Sequence, residues 1–367
     1  MSDRVRIVHV VGARPNFMKI APVLDACREV DGFENLLVHT GQHYDDRMSD
    51  LFFRQLGIPE PDLFLGVGSG SHARQTARIL EAFETVVEER RPDLVVVVGD
   101  VNSTLACSLV AVKLGVPVAH VEAGLRSGDR TMPEEINRIV TDSISDLLFA
   151  TEQSGVDHLA REGVPAERVH LVGNVMIDTL VKHRESAMAS GVLDELGLGD
   201  GPYAVVTMHR PSNVDDPAHL RDVLLPIVEL SRTMPVAFPV HPRTATRLSG
   251  VLEAMPDAGG VRLLDPLGYL DFLRLMIGAR VVVTDSGGIQ EETTVLGVPC
   301  VTVRENTERP ITLTHGTNHL AGVRPEGVRE ALGLALGGAR KPTGPPPLWD
   351  GHAASRIVDV LRAWSDR

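Results

Sequence analysis

The side chains in this 367-residue sequence that could move a proton or hold an anion stand just beyond short apolar runs. Gly99-Asp100 follows the run at 93–98, and Glu122 follows the run at 117–121. Two carboxylates over one cleft push their pKa values apart, so that one serves as a base while the other stays protonated as an acid. Two bland alternatives stand beside that reading: Asp100 as a helix cap, and Glu122 in an ion pair with Arg126. Ser103 or Thr104 is expected to cap the following helix and so release Asp100. Glu134 lies in Pro133-Glu134-Glu135, where a proline and two acids also suit an ordinary first helical turn.

Cations and amides gather at comparable places. Arg14 and Lys19 follow the glycine turn after the first apolar run, as a phosphate clamp or as plain surface cations. His209-Arg210 and His241-Pro242-Arg243 each end an apolar run, where an anion or a proton in flight would be met. Ser286-Gly287-Gly288 joins the run at 280–284 to a helix, so its amides would face an anion at a helix N-terminus. Glu291 and Glu292 follow at once and would repel that anion unless they grip another part of the same ligand. A sugar nucleotide offers both partners, phosphates for the amides and ribose hydroxyls for a carboxylate. The three-glycine dinucleotide fingerprint, the P-loop, the GxSxG elbow and a metal-ligand Cys cluster do not occur in the sequence. No cofactor and no metal are expected.

The elements that must position these residues are strands and helices in alternation. Apolar runs at 6–11, 35–39, 93–98 and 117–121 read as strands, with amphipathic helices at 19–30, 75–90, 104–114 and 134–145. The pattern restarts after a glycine-bearing stretch at 185–202, with strands at 203–208, 236–240, 261–264, 280–284 and 299–303. Continuous apolar strands interleaved with helices predict parallel sheets covered on both faces. The expected fold is α/β, two doubly wound Rossmann-like domains facing a central cleft. Residues 1–180 form the first domain and 181–350 the second. A final helix at 351–367 is expected to pack back on the first.

Bulk properties narrow the classes. At 367 residues, two domains are the prior. A formal net charge of −13 argues against a general nucleic-acid or membrane-surface binder, and two Trp and three Tyr are too few for base-stacking platforms. The three cysteines lie in apolar contexts without ligand spacing and read as reduced, buried thiols. With no apolar run of membrane-spanning length and no signal-peptide pattern, a cytoplasmic location is expected.

Taken in order, GARPNFMKIAPV, TGQHYD, GDVNST, HVEAGLRSGD, PEEINR, MHRPSN, HPRT, DSGGIQEE and NTERP resemble the motifs of the non-hydrolysing UDP-N-acetylglucosamine 2-epimerases over residues 12–310. The resemblance implies a glycosyltransferase-B type fold and a cofactor-free inversion at C2 of UDP-GlcNAc to give UDP-ManNAc. The family does this by eliminating UDP to 2-acetamidoglucal and adding it back. Asp100, Glu122 and Glu134 match the family's catalytic carboxylates, with the division between base and acid left open. His209 matches the histidine that steadies the leaving diphosphate, and Arg14 and Lys19 match cleft cations. Ser286 and Gly287, with Gly288, match the phosphate-cradling amides, Glu292 the ribose-binding carboxylate, and Phe272 the residue beside uracil. Arg138, Arg210, His241 and Arg309 lie in the same motifs as substrate-binding positions.

Gln42 and His43 fall where some bacterial members hold a second, activating UDP-GlcNAc, and a homodimer is the family expectation. Ser212 stands where bacterial members often carry a Glu. The alternatives are a hydrolysing 2-epimerase, an epimerase for a UDP-2,3-diacetamido sugar, a glycosyltransferase on the same fold, and a sugar-nucleotide sensor without turnover.

Overall fold

Short runs of β-branched residues make the strands, because two heavy atoms on Cβ stiffen χ1 and suit a pleated, covered surface. In the computed structural model, which describes residues 4–42, 56–199, 201–240, 242–338 and 344–366, these runs build two sheets. The first contains β1 (Val5–Val11), β2 (Phe33–His39), β3 (Leu63–Phe64), β4 (Leu94–Val98), β5 (Val118–Ala123), β6 (Leu147–Ala150) and β7 (Val169–Leu171). Their spatial order is β3-β2-β1-β4-β5-β6-β7, and every pairing is parallel. All five side chains of β4 are buried, as a central strand covered on both faces requires.

The second sheet contains β8 (Ala204–Thr207), β9 (Val236–Pro239), β10 (Val261–Leu264), β11 (Val281–Thr284), β12 (Cys300–Thr302) and β13 (Asn318–Leu320). It runs β10-β9-β8-β11-β12-β13, again wholly parallel. The chain thus divides into one unit of Met1–Lys182 with Pro347–Arg367 and another of His183–Pro346.

Helices cover the faces by the same logic. Helix His72–Arg90 buries Gln75, Ile79, Phe83, Val86 and Val87, a spacing of three and four that aligns one stripe with the core. Ile79 and Phe83 join a cluster with Val95 and Val97 of β4. Each such side chain contributes about 1.5–3 kcal/mol by leaving water. The helix stops where Arg91 turns left-handed at φ 47°.

The final helix, Ala353–Ser365, packs on helix Arg14–Arg28 of the first unit and buries Ile357 and Leu361. Its first amides are satisfied by Asp178, whose carboxylate accepts from Ala353 N at 3.1 Å and Ala354 N at 2.7 Å. Just upstream, the buried Trp349 donates its indole N–H to Thr151 O at 3.0 Å. Among the described residues, no helix is long and apolar enough to cross a membrane.

Candidate functional site

In a doubly wound sheet the strand order reverses once, and the loops at the carboxyl ends of the two strands flanking that reversal diverge and leave a crevice. Here the reversals fall between β1 and β4 in the first unit and between β8 and β11 in the second.

In the first unit the loops after β1 and β4 nearly touch. A Cβ on Gly12 would lie 2.1 Å from Ser103 Oγ, so only glycine fits. Helix Arg14–Arg28 begins directly after that turn. Asn16 accepts from Ala13 N and donates to Val98 O at 2.9 Å, tying the helix start to the end of β4. One turn later Lys19 forms a charge-assisted hydrogen bond and ion pair with Glu122, both side chains nearly inaccessible.

The ideal Cβ point on Gly99 lies 3.0 Å from Lys19 Nζ and 3.3 Å from Glu122 Oε2. Glu122 itself has φ 76°, unusual for a residue with a side chain, where the β5–β6 register slips between Val121 and Ala123. Asp100 pairs with Arg138 at 2.5 Å, and its backbone carbonyl accepts from Asn137 at 2.9 Å. Helix Pro133–Ile144 supplies both partners.

Arg138 is buried and also donates to Glu135, at 3.1 Å from Nε and 2.6 Å from the terminal nitrogen. Glu135 in turn accepts from Ser127 N, Ser127 Oγ and Gly128 N. Burial opposes the ionised form, yet these N–H groups and the Arg138 guanidinium hold the Glu135 carboxyl below its ordinary range. The neighbouring Glu134 is half-buried in the first turn.

In the second unit Asp285, wholly buried after β11, organises the loop after β8. It accepts from His209 N at 3.1 Å, Arg210 N at 2.9 Å and Asn213 Nδ2 at 3.1 Å, and it lies 2.9 Å from His209 Nδ1. Burial would raise its pKa, but the contacts from His209 and Arg210 bring it below the usual carboxylate value. The His209 side chain is otherwise well exposed, at 61%.

Helix Gly287–Leu296 starts at Ser286, and no side chain caps its first amides among the described residues. Arg210 donates from Nε to Asp285 O at 3.0 Å. Arg309 donates to Glu291 at 2.7 Å and to Glu308 at 2.6 Å, and Arg304 pairs with Glu308 at 2.7 Å. A Cβ on Gly287 would meet Arg309 at 2.6 Å, so this buried ion-pair group packs directly against the helix start. Inside the same helix Glu292 accepts from the Tyr269 hydroxyl at 3.0 Å. Burial, partly offset by that hydrogen bond and reinforced by the Glu291 charge, pushes the Glu292 carboxyl up to about 7. Phe272 is half-buried on helix Tyr269–Ile277.

The first unit therefore brings Lys19, Asp100, Glu122 and Arg138 together at strand ends. The second gathers His209, Arg210, Ser286, Gly287, Gly288 and Arg309, with Glu292 one turn further along. Arg14 is the first residue of its helix, and His241 and His43 lie outside the described residues. Gln42 is buried, its side-chain oxygen accepting from Ser103 N at 2.9 Å and Ser103 Oγ at 2.7 Å.

Two sequence-level readings are corrected. Neither Ser103 nor Thr104 caps helix Asn102–Lys113, because Ser103 is drawn to Gln42 and Thr104 donates to Val98 O at 2.9 Å. Arg126 pairs with Asp142 and Glu162, both at 2.7 Å, rather than with Glu122. Asn16, Glu135, Asn137 and Asp285 were not singled out as functional positions from the sequence. For Asp285 the signal was available, as an acid directly behind a fully apolar run.

These features define a doubly wound α/β protein with polar groups concentrated at both switch points. The chain belongs to the UDP-N-acetylglucosamine 2-epimerase family, whose profile matches residues 25–362. It is 38% identical to a UDP-N-acetylglucosamine 2-epimerase of Methanococcus maripaludis, over 96% of this chain and 97% of that one. It is 40% identical to a UDP-2,3-diacetamido-2,3-dideoxy-D-glucuronate 2-epimerase of Pseudomonas aeruginosa, over 97% and 99%. The crystal structure of Methanocaldococcus jannaschii UDP-GlcNAc 2-epimerase in complex with UDP-GlcNAc and UDP superposes with a TM-score of 0.90 at 37% identity, covering 98% of this chain and all of that one.

Proposed function

We propose that the protein is a non-hydrolysing UDP-GlcNAc 2-epimerase that inverts C2 by eliminating UDP to 2-acetamidoglucal and adding it back. The observation that carries this reading is the convergence of Lys19, Glu122 and Gly99 beside Asp100 at the β1/β4 switch point. The C2 proton is too weakly acidic for simple exchange, so its removal must accompany departure of the diphosphate. Asp100, Glu122 and Glu134 supply the base on one face of the sugar and the acid on the other. His209 and Arg210 meet charge developing on the departing diphosphate, and the amides of Ser286, Gly287 and Gly288 cradle it. Glu292 accepts from the ribose hydroxyls and Phe272 lies beside the uracil. Arg14 and His241 add polar contacts to the ligand.

Chromatography of products from UDP-GlcNAc tests the reading. A mixture of UDP-GlcNAc and UDP-ManNAc supports it, whereas free N-acetylmannosamine with UDP would identify a hydrolysing enzyme, and UDP binding without product a sensor. A second substrate, a UDP-2,3-diacetamido uronate, is favoured by the 40% identity to the Pseudomonas aeruginosa enzyme. A panel of UDP-amino sugars separates the two by kcat/KM.

The family resemblance extends the proposal to a homodimer, tested by sedimentation, and to activation by a second UDP-GlcNAc near Gln42 and His43, tested by sigmoidal substrate dependence. A cytoplasmic location fits the three buried free thiols, Cys27, Cys107 and Cys300.

A further inference from the structure

We infer that His120 and Asp142 form a buried positioning pair in which both imidazole nitrogens donate, and that this pair fixes the aim of the Asp100 and Glu122 carboxylates. The inference rests on the proposed epimerase reading for its consequence, though not for its geometry.

His120 lies on β5 with no exposed surface. Its Nε2 is 2.8 Å from Gly99 O, and its Nδ1 is 2.7 Å from Asp142 Oδ1. A carbonyl oxygen can only accept. Asp142 also behaves as a pure acceptor, since it takes the Gly124 N–H at 3.0 Å and an Arg126 N–H at 2.7 Å. Against the effect of its burial, His120 and Arg126 hold the Asp142 carboxyl below its ordinary range. A neutral imidazole has one donor and one acceptor nitrogen, so one of the two contacts would set lone pair against lone pair. Two donor nitrogens satisfy both partners.

Asp142 meets both His120 and Arg126, and Arg126 also pairs with Glu162. Lys19 answers Glu122 on the same strand, and His158 contacts Gly124 O at 2.9 Å.

The consequence follows from where the two acceptors sit. Gly99 is the residue before Asp100, has φ 67°, and its carbonyl direction sets the peptide plane from which Asp100 departs. Glu122 is two residues beyond His120, in the left-handed conformation noted above, and its bulge is held by the Gly124 N–H on Asp142. β4 and β5 are neighbours, with Val98 opposite Val121. One rigid pair therefore pins both carboxylate-bearing loops. His120 touches no substrate on this account and is a positioning residue rather than a catalytic one.

The test joins kinetics to the protonation of the ring. His120→Gln keeps one donor and loses the other. In the folded variant, kcat and C2 deuterium exchange are expected to fall about 100-fold, with KM and UDP affinity within about twofold of wild type, as a small misplacement of reacting groups dictates. A purely structural role would lower the melting temperature and leave kcat of the folded fraction within about threefold, which overturns the inference. Nitrogen-15 NMR of the ring in the wild-type protein near neutral pH gives a readout free of activity. Two protonated nitrogens support the pair, and a neutral ring overturns it, even where His120→Gln fails to fold. Should the wild type turn over no UDP-amino sugar, the epimerase reading fails while the ring result still decides the geometry.

Discussion

At the scale of single residues, Glu292 is costly to the fold. It is buried beside Glu291, and its carboxyl is pushed up to about 7 from an ordinary value of 4.5. Because the folded protein holds this proton more tightly than the unfolded chain, stability from Glu292 is fully present below pH 4.5 and is lost as pH rises to about 7. The loss comes to roughly 3 kcal/mol. Glu292→Gln should therefore raise the melting temperature at pH 8 and change it little at pH 4.5, while weakening UDP binding. Thermal melts across pH with UDP titrations check both halves. The wild type should bind UDP better as pH climbs through 7, because an ionised carboxylate is the stronger acceptor for ribose hydroxyls.

Lys19 and Glu122 make the opposite case, two buried charges that answer each other. Lys19→Met removes the cation paired with this buried carboxylate and should cost about 3–5 kcal/mol by denaturant unfolding. Adding Glu122→Gln should return part of that loss, and a strictly additive double variant would contradict the coupling.

At the scale of elements, close approach at the first switch point sets a narrow tolerance. Gly12→Ala would place a methyl 2.1 Å from Ser103 Oγ, just ahead of the helix that carries Lys19 and close to the turn that carries Asp100. It should cost about 1–3 kcal/mol and lower kcat, read by urea unfolding and initial rates. Asp178→Ala, which removes the acceptor for two amides of the final helix, should cost about 1 kcal/mol and leave kcat unchanged.

Element by element, the long apolar runs were legible because β-branched repeats such as Leu94–Val98 have few other uses. β3, β7 and β13 were not, since each is two or three residues long and keeps partly exposed positions, and the buried four residues of β6 also escaped. The acids beyond the strands could be seen in the sequence. What holds them could not. Lys19 reaches Glu122 across 103 residues, Arg138 reaches Asp100 across 38, and His120 meets Asp142 across 22. Only the parallel stacking of β1, β4 and β5 brings such pairs together. Ser103 shows the converse, a good local cap captured by the distant Gln42.

At the scale of the whole molecule, the chain uses one device twice. Each sheet reverses its strand order at a single point, and each reversal is where the polar side chains collect. The first unit contributes carboxylates locked by cations, and the second contributes histidine, arginines and open helix amides. An overall charge of −13 does not prevent this division, because Arg210, Arg304 and Arg309 stand together beside the start of helix Gly287–Leu296.

In the proposed reaction the first unit's carboxylates take the C2 proton and return one from the opposite face. Turnover of UDP-GlcNAc in deuterated water tests it most directly. Deuterium is expected at C2 of both UDP-GlcNAc and UDP-ManNAc, with incorporation cut by at least about 100-fold in Asp100→Asn and Glu122→Gln. Epimer formation with the original hydrogen retained at C2, or full incorporation in both variants, would contradict it.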